Sequence, residues 1–522
     1  MSGMLKKNSW KRILYLICFV GINLIEFTKA TQTGDVWYVT VNLTGLAVFL
    51  MIASTFSRHE IWNLRNLIIS LLGFGLMVGA YFFKQTSEIY IHLGQVESAL
   101  LNVWWLAIAA GVLIRRIWVE HTKKLYFSSL GVLWVFLMLL MTVSVNKRLW
   151  PLWFLLMFGA FYLTDFTEEE GRMLLDAMID GTILCFFGFQ IYAYATRPYD
   201  VVRYVGFYDN ANTVALYYLM VYGMVLCKLH LLHVRKAAWW WKLIFFIGAG
   251  GMLSFQIFTL CRTAWVVSVL LTIVYGIVVV RKLWGDKWGK VLLRGGALGL
   301  MVLVTFLPVY YTIRWLPTLT HYRVWYADEY SVDKVHSFDP PDSWKYIELD
   351  EFLDAFLGRI IHTLKSVDAS NPLVLRVHAG EEEVELVEVP WTQDESTRIR
   401  LTIYKTYLQE MKWFGNAPDK GYYRIGENAV SWHAQNLWIQ VGYSYGMVAG
   451  IVMILLTAAV FVCQRKRLRA QRENPYAIIP LMVCVMFFGF GLTEVVWLPG
   501  QLILFMMFFV QHPSFVCDKS DV

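Results

Sequence analysis

YVTVNLTGLAVFLMIAST, Tyr38–Thr55, runs without a single charge, and AIIPLMVCVMFFGFGL, Ala477–Leu492, does the same far along the chain. An α-helix needs about 20 predominantly apolar residues to cross the hydrocarbon core of a bilayer. Blocks of this kind recur throughout. Of the 522 residues 57% are hydrophobic and only 16% are charged, against about 25% charge in soluble domains. The fold class that follows is an all-α polytopic membrane protein.

Working outward from those two blocks, spans are expected near 12–28, 38–55, 66–84, 98–114, 125–145, 149–164, 178–195, 208–229, 242–260, 263–280, 295–313, 434–462, 477–493 and 495–511, hence about 12–14 transmembrane helices. The first, ILYLICFVGINLIEF, follows Lys6, Lys7, Lys11 and Arg12 as a secretory leader would. Its exit reads FTKATQ, without a small-x-small cleavage site, so it is expected to remain a membrane helix.

Orientation comes from lysine and arginine in short loops. With the N-terminus inside, Arg58, Arg65, Arg115, Arg116, Lys123, Lys124, Lys228, Arg235, Lys236, Arg281, Lys282, Lys287, Lys290 and the run RKRLRAQR from Arg465 all fall inside. That is the positive-inside bias. The one acidic inside loop, DFTEEEGR, counts little in it. Both termini are therefore expected on the cytoplasmic side. The net charge of +7 is distributed among these loops and is no nucleic-acid signal. The seven cysteines are scattered singly, which predicts neither a disulfide framework nor a cysteine zinc site.

The chain therefore divides into an N-terminal transmembrane bundle (1–313), a large extracytoplasmic loop (314–432) and C-terminal transmembrane helices with a short cytoplasmic tail (433–522). EFLDAFLGRIIHTLKSV, Glu351–Val367, puts apolar residues at helical spacing, an amphipathic helix for the membrane surface or the bundle. PLVLRVH and EVELVEV read as two strands around a glycine-containing turn. TRIRLTIYKTYLQEMKWF is helical again. A mixed α/β loop is the expectation.

Positive charge is depleted outside, so arginines at outer helix ends stand out. Arg203 lies in RYVGFYDNANT, Arg262 in LCRTAW, and Arg398 and Arg400 in STRIRLTIYKTYLQ; His433 begins the return to the membrane in SWHAQNLWIQVGYSYGMVAG. Guanidinium forks fit phosphate oxygens bidentately, and a histidine accepts a proton from an attacking hydroxyl. The plainer readings are that helix-end arginines snorkel to lipid headgroups, that Asn210 and Asn212 cap a helix, and that a loop histidine only forms hydrogen bonds. Lys147, Arg148 and Arg197 also fall outside and receive no role. Arg262 is the exception, because charge within an apolar hairpin is expensive.

In their order these motifs resemble the O-antigen ligase and polymerase family, bacterial membrane enzymes that act on undecaprenyl-diphosphate-linked glycans. The resemblance covers roughly Arg203 to Phe509. RYVGFYDNANTVA looks like the family's arginine, glycine and N-x-N helix entrance. LCRTAW looks like its S-R-small turn, with Cys261 for serine. RLTIYKTYLQEMKWFGNA looks like its R-xxx-W/Y segment leading to a glycine, which selects Arg400 over Arg398. QNLWIQVGYSYGMVAG looks like its H-N-x-x-L…G-x-x-G run. Counting back from Gly446, the family's histidine falls at Gln435, whereas this chain has His433. If the backbone there is extended, residues two apart share a face and His433 still reaches the site.

The resemblance implies a metal- and cofactor-independent glycosyltransferase of a bacterial cytoplasmic (inner) membrane. An acceptor hydroxyl, on a glycan or a lipid-linked glycan, would attack the anomeric carbon of a glycan carried on undecaprenyl diphosphate at the outer side of the bilayer. Arg203, Arg262 and Arg400 would hold the diphosphate and His433 would take the proton, with Glu494 in LTEVVW as a second candidate. Asn210, Asn212, Arg398, Gln435 and Asn436 would complete the substrate surface. The rival from another class is a flippase or transporter of a lipid-linked oligosaccharide.

Overall fold

The computed structural model describes residues 9–31, 36–86, 93–122, 129–196, 203–208, 210–316, 324–327, 335–338, 349, 352–353, 356–358, 395–417, 423–425, 429–431, 433–471, 473–498 and 500–515. Eight helices among them are long and apolar enough to cross a membrane: Leu64–Phe83, Leu100–Val119, Glu168–Ala195, Ala211–Val234, Trp239–Phe258, Arg262–Leu283, Trp288–Ile313 and Met447–Ala470. Asn42–Ala53, Ser129–Val143, Trp150–Tyr162 and Pro475–Gly491 are apolar but shorter. The chain is a multi-pass helical membrane protein, with fewer full-length spans among the described residues than the apolar blocks suggest.

In chain order the main helices are α1 (Ser9–Thr31), α2 (Val36–Ala53), α3 (Leu64–Thr86), α4 (Leu93–Ile114), α5 (Ser129–Val143), α6 (Trp150–Tyr162), α7 (Glu168–Thr196), α8 (Ala211–Val234), α9 (Trp239–Phe258), α10 (Arg262–Val274), α11 (Trp288–Trp315), α12 (Glu395–Gln409), α13 (Leu437–Tyr445), α14 (Met447–Ala470), α15 (Ile478–Gly491) and α16 (Leu502–Phe509). α10 continues as a π-helix, Tyr275–Leu283.

A helix apolar on every side must be enclosed by protein or bathed in lipid. α8 is the enclosed case: almost all of it is buried, and Tyr217, Tyr218 and Tyr222 are wholly inaccessible. It packs against α7, α9, α10 and α15. α3 is the opposite case, with Leu67, Leu71, Phe74 and Phe82 exposed. Lipid tails are as apolar as leucine, so cohesion within the bilayer comes from close packing and hydrogen bonds between helices. Phe158 illustrates it, lying 5.1 Å from Phe508 and 5.4 Å from Phe505, ring centre to ring centre.

Two expected spans are corrected. The block 434–462 is not one helix but α13 and α14, broken at Gly446. Gly446 has φ +111°, and a Cβ there would lie 2.2 Å from the Trp413 carbonyl oxygen. The block 495–511 is helical only over α16, whose 8 residues reach about 12 Å. The segment before it is non-helical and carries Glu494.

Outside the bundle, β1 (Val324–Ala327) pairs antiparallel with β2 (Val335–Phe338), and β3 (Tyr423–Ile425) with β4 (Ala429–Ser431). These are separate two-stranded pairs among the described residues, and they do not support the expected mixed α/β loop. The strand pair expected over 372–378 and 383–389 lies outside the described residues. The amphipathic stretch is helical where described, at 352–353 and 356–358, and it packs on the bundle. Phe352 is wholly buried, 4.9 Å from the Phe258 ring, and Phe356 meets Trp265 edge-on at 5.2 Å.

Candidate active site

The helix breaks bring polar residues from distant parts of the chain to one place. The connection before α8 begins at Arg203, whose neighbour Tyr204 donates its N–H to the Phe258 carbonyl at 2.8 Å. That bond docks the segment on the end of α9. Arg203 Nε donates to the Thr259 carbonyl at 3.0 Å, and its Nη2 donates to Asn212 Oδ1 at 2.7 Å. Asn212 Nδ2 in turn donates to Glu494 Oε1 at 2.9 Å. Asn210 Oδ1 accepts from the Asn212 N–H at 2.8 Å, an N-cap that fixes the first turn of α8. The capping reading is therefore right for Asn210 and incomplete for Asn212, which also bridges an arginine and a carboxylate.

From the other side comes α12. Arg400 Nε donates to Gln435 Oε1 at 3.4 Å. Tyr404, one helical turn on, places its hydroxyl 3.1 Å from both the Gln435 and the Leu492 carbonyl oxygens. Asn436 caps α13 through Oδ1 and donates from Nδ2 to the Leu492 carbonyl at 3.0 Å. α12 is held in place beyond its C-terminus, where Met447 N–H reaches Lys412 O at 2.9 Å and Val145 N–H reaches Phe414 O at 2.9 Å. Gly415 is required in this dock: φ is +85°, and a Cβ would lie 2.3 Å from the Ser444 carbonyl oxygen. The glycine after the R-xxx-Y segment thus has a steric cause.

Arg400 and Arg203 both act on Glu494 electrostatically. Burial is the larger influence and raises the Glu494 carboxyl above the usual range, while Arg400, the Asn212 bond and Arg203 oppose it. Burial also raises the Cys261 thiol and the Tyr404 phenol. Thr263 and Thr493 share a hydroxyl hydrogen bond of 2.6 Å, which ties the start of α10 to the Glu494 segment. Arg262 stands between Cys261 and Thr263 as the first residue of α10, half-buried.

His433 is corrected in its geometry. Gln435 has φ +46°, so the backbone turns there and is not extended. The His433 Nδ1 accepts the Gln435 N–H at 3.3 Å, and burial lowers the imidazole's affinity for a proton. Position 435, and not 433, meets Arg400. Arg398 lies on α12 two residues before Arg400. Tyr404 is the participant that sequence reading passed over, although its i,i+4 spacing from Arg400 put the two on one helix face. Among the described residues no group of three histidine, cysteine or acidic side chains gathers to hold a metal ion.

Comparison with protein-family models, with curated proteins and with solved structures finds no match for this chain.

Proposed function

We propose that this chain is a membrane glycosyltransferase that polymerises or ligates surface polysaccharide, taking glycan from undecaprenyl diphosphate to an acceptor hydroxyl. The observation that carries the reading is the meeting of Arg203, Arg400, Asn212 and the half-buried Glu494 where several apolar helices begin or end. Fixed guanidinium groups stabilise charge that develops on a departing diphosphate. A carboxylate with raised proton affinity is a competent base near neutral pH.

In the proposed reaction the acceptor oxygen attacks the anomeric carbon and its proton passes to Glu494. The bond from that carbon to the diphosphate oxygen breaks, and undecaprenyl diphosphate leaves onto Arg203 and Arg400. Arg262 stands close enough in sequence to Cys261 and Thr263 to be tested as a third clamp. Glu494 replaces His433 as the first choice of base, because it is hydrogen-bonded into the cluster. The site is read as extracytoplasmic, since α8 and the Arg262–Leu283 helix both begin beside it and run to basic loops. A flippase would need charges near mid-span, lining an alternating cavity; these charges are at helix ends.

The test is a product assay in reconstituted membranes with undecaprenyl-diphosphate oligosaccharide and purified wild-type, Arg400→Ala and Glu494→Gln proteins. Longer or transferred glycan plus free undecaprenyl diphosphate from wild type alone is the expected result. Donor found unchanged in the opposite leaflet would replace the enzyme with a flippase.

A further inference from the structure

At the end of the bundle away from the polar cluster, α8, α9, the π-helix Tyr275–Leu283 and α11 part around an apolar cleft of about 870 Å³. Its opening has a backbone cause. Gly276, Gly295 and Gly296 line it without side chains, and a Cβ on Gly295 or Gly296 would meet nothing within 4 Å. The π-helical turns of its third wall are wider than α-turns and recur at functional sites.

The cleft is not apolar throughout, for His233, Lys242 and Arg294 also line it. Trp284 organises that corner. Its indole N–H donates to His230 Nδ1 at 3.0 Å, its ring stacks on His233 at 3.9 Å, and the Arg294 guanidinium lies over it at 4.6 Å. Arg294 is only partly committed. Its Nη2 pairs with Asp286 at 2.8 Å, while its Nη1 is buried without a hydrogen-bond partner among the described residues. Asp286 is itself shared with Lys290, at 3.3 Å. Counting Lys242, Arg294 and Lys290 against this one carboxylate leaves the corner positive.

We propose that the cleft binds one anionic phospholipid from the surrounding leaflet. Its phosphate sits at Arg294 Nη1 and Lys242, and one acyl chain lies along Leu243, Phe246 and Leu298. The volume is within the range of ordinary ligand pockets, about 300–1,000 Å³. Trp239 and Trp288 at the rim suit the headgroup level, where amphipathic rings collect. A free phosphate would satisfy the cations and leave the long apolar wall unfilled, which is why a lipid is the occupant. This site is separate from the polar cluster and does not depend on the glycosyl-transfer reading.

The experiment uses the full chain in phosphatidylcholine vesicles doped with photoactivatable phosphatidylglycerol or, in parallel, photoactivatable phosphatidylcholine, with crosslinked peptides mapped by mass spectrometry. Phosphatidylglycerol should label 239–249 and 291–298 roughly tenfold more than phosphatidylcholine does, a difference of about 1.4 kcal/mol. Lys242→Gln with Arg294→Gln should bring the two lipids level. Gly296→Leu, whose Cβ would meet nothing within 4 Å and whose side chain would occupy the cleft, should abolish labelling by both while leaving the thermal unfolding midpoint unchanged. Equal labelling of wild type by the two lipids, or full labelling of Gly296→Leu, overturns the proposal. Displacement of the label by excess inorganic phosphate would show a free-anion site and overturn it as well.

Discussion

Asn212 and Glu494 are separated by 282 positions, more than half of the chain, yet their side chains meet at 2.9 Å, with Arg203 on the far side of the same asparagine at 2.7 Å. An asparagine amide is suited to this bridge, because its oxygen accepts from the cation while its nitrogen donates to the anion. Asn212→Asp would replace the donor with a second carboxylate facing Glu494. Under the proposed activity this variant should lose most turnover while reaching normal membrane levels, as measured by product gel and immunoblot.

Glu494→Gln keeps the shape and the bond from Asn212 but cannot take up a proton. Loss of a general base is worth about 10²–10⁴ in rate. Turnover of the purified variant should fall by that order with little change in donor affinity. A variant of wild-type speed would remove Glu494 from the chemistry.

The pH dependence has a definite sign. The folded protein holds the Glu494 proton more tightly than the unfolded chain does, because burial raises its carboxyl. Activity should therefore rise with pH through a midpoint above the ordinary glutamate value of about 4.3. The same group's contribution to stability is full below that ordinary value and is lost as pH rises through the raised one. Rate and unfolding profiles of wild type against Glu494→Gln check both; the variant should lack the acidic limb.

Gly446→Ala should unfold at markedly lower temperature. The φ of +111° lies where side chains are strained, at about 1–3 kcal/mol, and the added Cβ collides with the Trp413 carbonyl. Gly248→Ala is the control, since a Cβ there meets nothing within 4 Å. Thermal unfolding in detergent, followed by size exclusion, separates the two.

Glu26 is buried inside α1 and accepts from the Tyr208 hydroxyl at 2.6 Å and from the Leu502 N–H at 2.8 Å. It thereby anchors the loops on either side of the Arg203–Asn212–Glu494 chain. Tyr208→Phe leaves a buried acceptor short of one partner, at about 1–3 kcal/mol. The melting temperature should drop accordingly.

Orientation can be tested directly. In a cysteine-free background, Lys405→Cys on α12 should react with an impermeant thiol reagent in intact cells, and Lys466→Cys in the basic end of α14 should not; both side chains are exposed. The reverse pattern would invert the topology.

Much of this arrangement was legible in the chain. Long charge-free blocks mark helices because the bilayer leaves the backbone no other partners, and helices stand at the expected positions except that 434–462 is broken and 495–511 is helical only over α16. Arg203, Asn212, Arg400 and Gln435 were chosen from motif order, and they do come together. Less was legible where tertiary contact overrides local pattern. Nothing in QVGYSYGMVAG distinguishes a bent helix from a straight one until Trp413 is packed against Gly446. The turn at Gln435, which replaces the extended backbone expected there, has no local signature. Tyr404 was hidden among the many aromatic residues of an interfacial belt. Glu494 is placed outside between the last two spans by sequence, but its partners, Asn212 and the two arginines, come from elsewhere in the chain and leave no local pattern.

The Arg203–Asn212–Glu494 chain has one more consequence for the proposed enzyme. Within the chain's own residues the Glu494 carboxylate is the counter-charge of Arg400 and Arg203. When a diphosphate claims them, Glu494 loses that counter-charge and gains an anionic neighbour, and both changes increase its hold on a proton. The donor would thus strengthen the base that its own reaction requires. Substrate addition should then be ordered, with the lipid-linked donor docking first and the acceptor hydroxyl becoming reactive only in the binary complex.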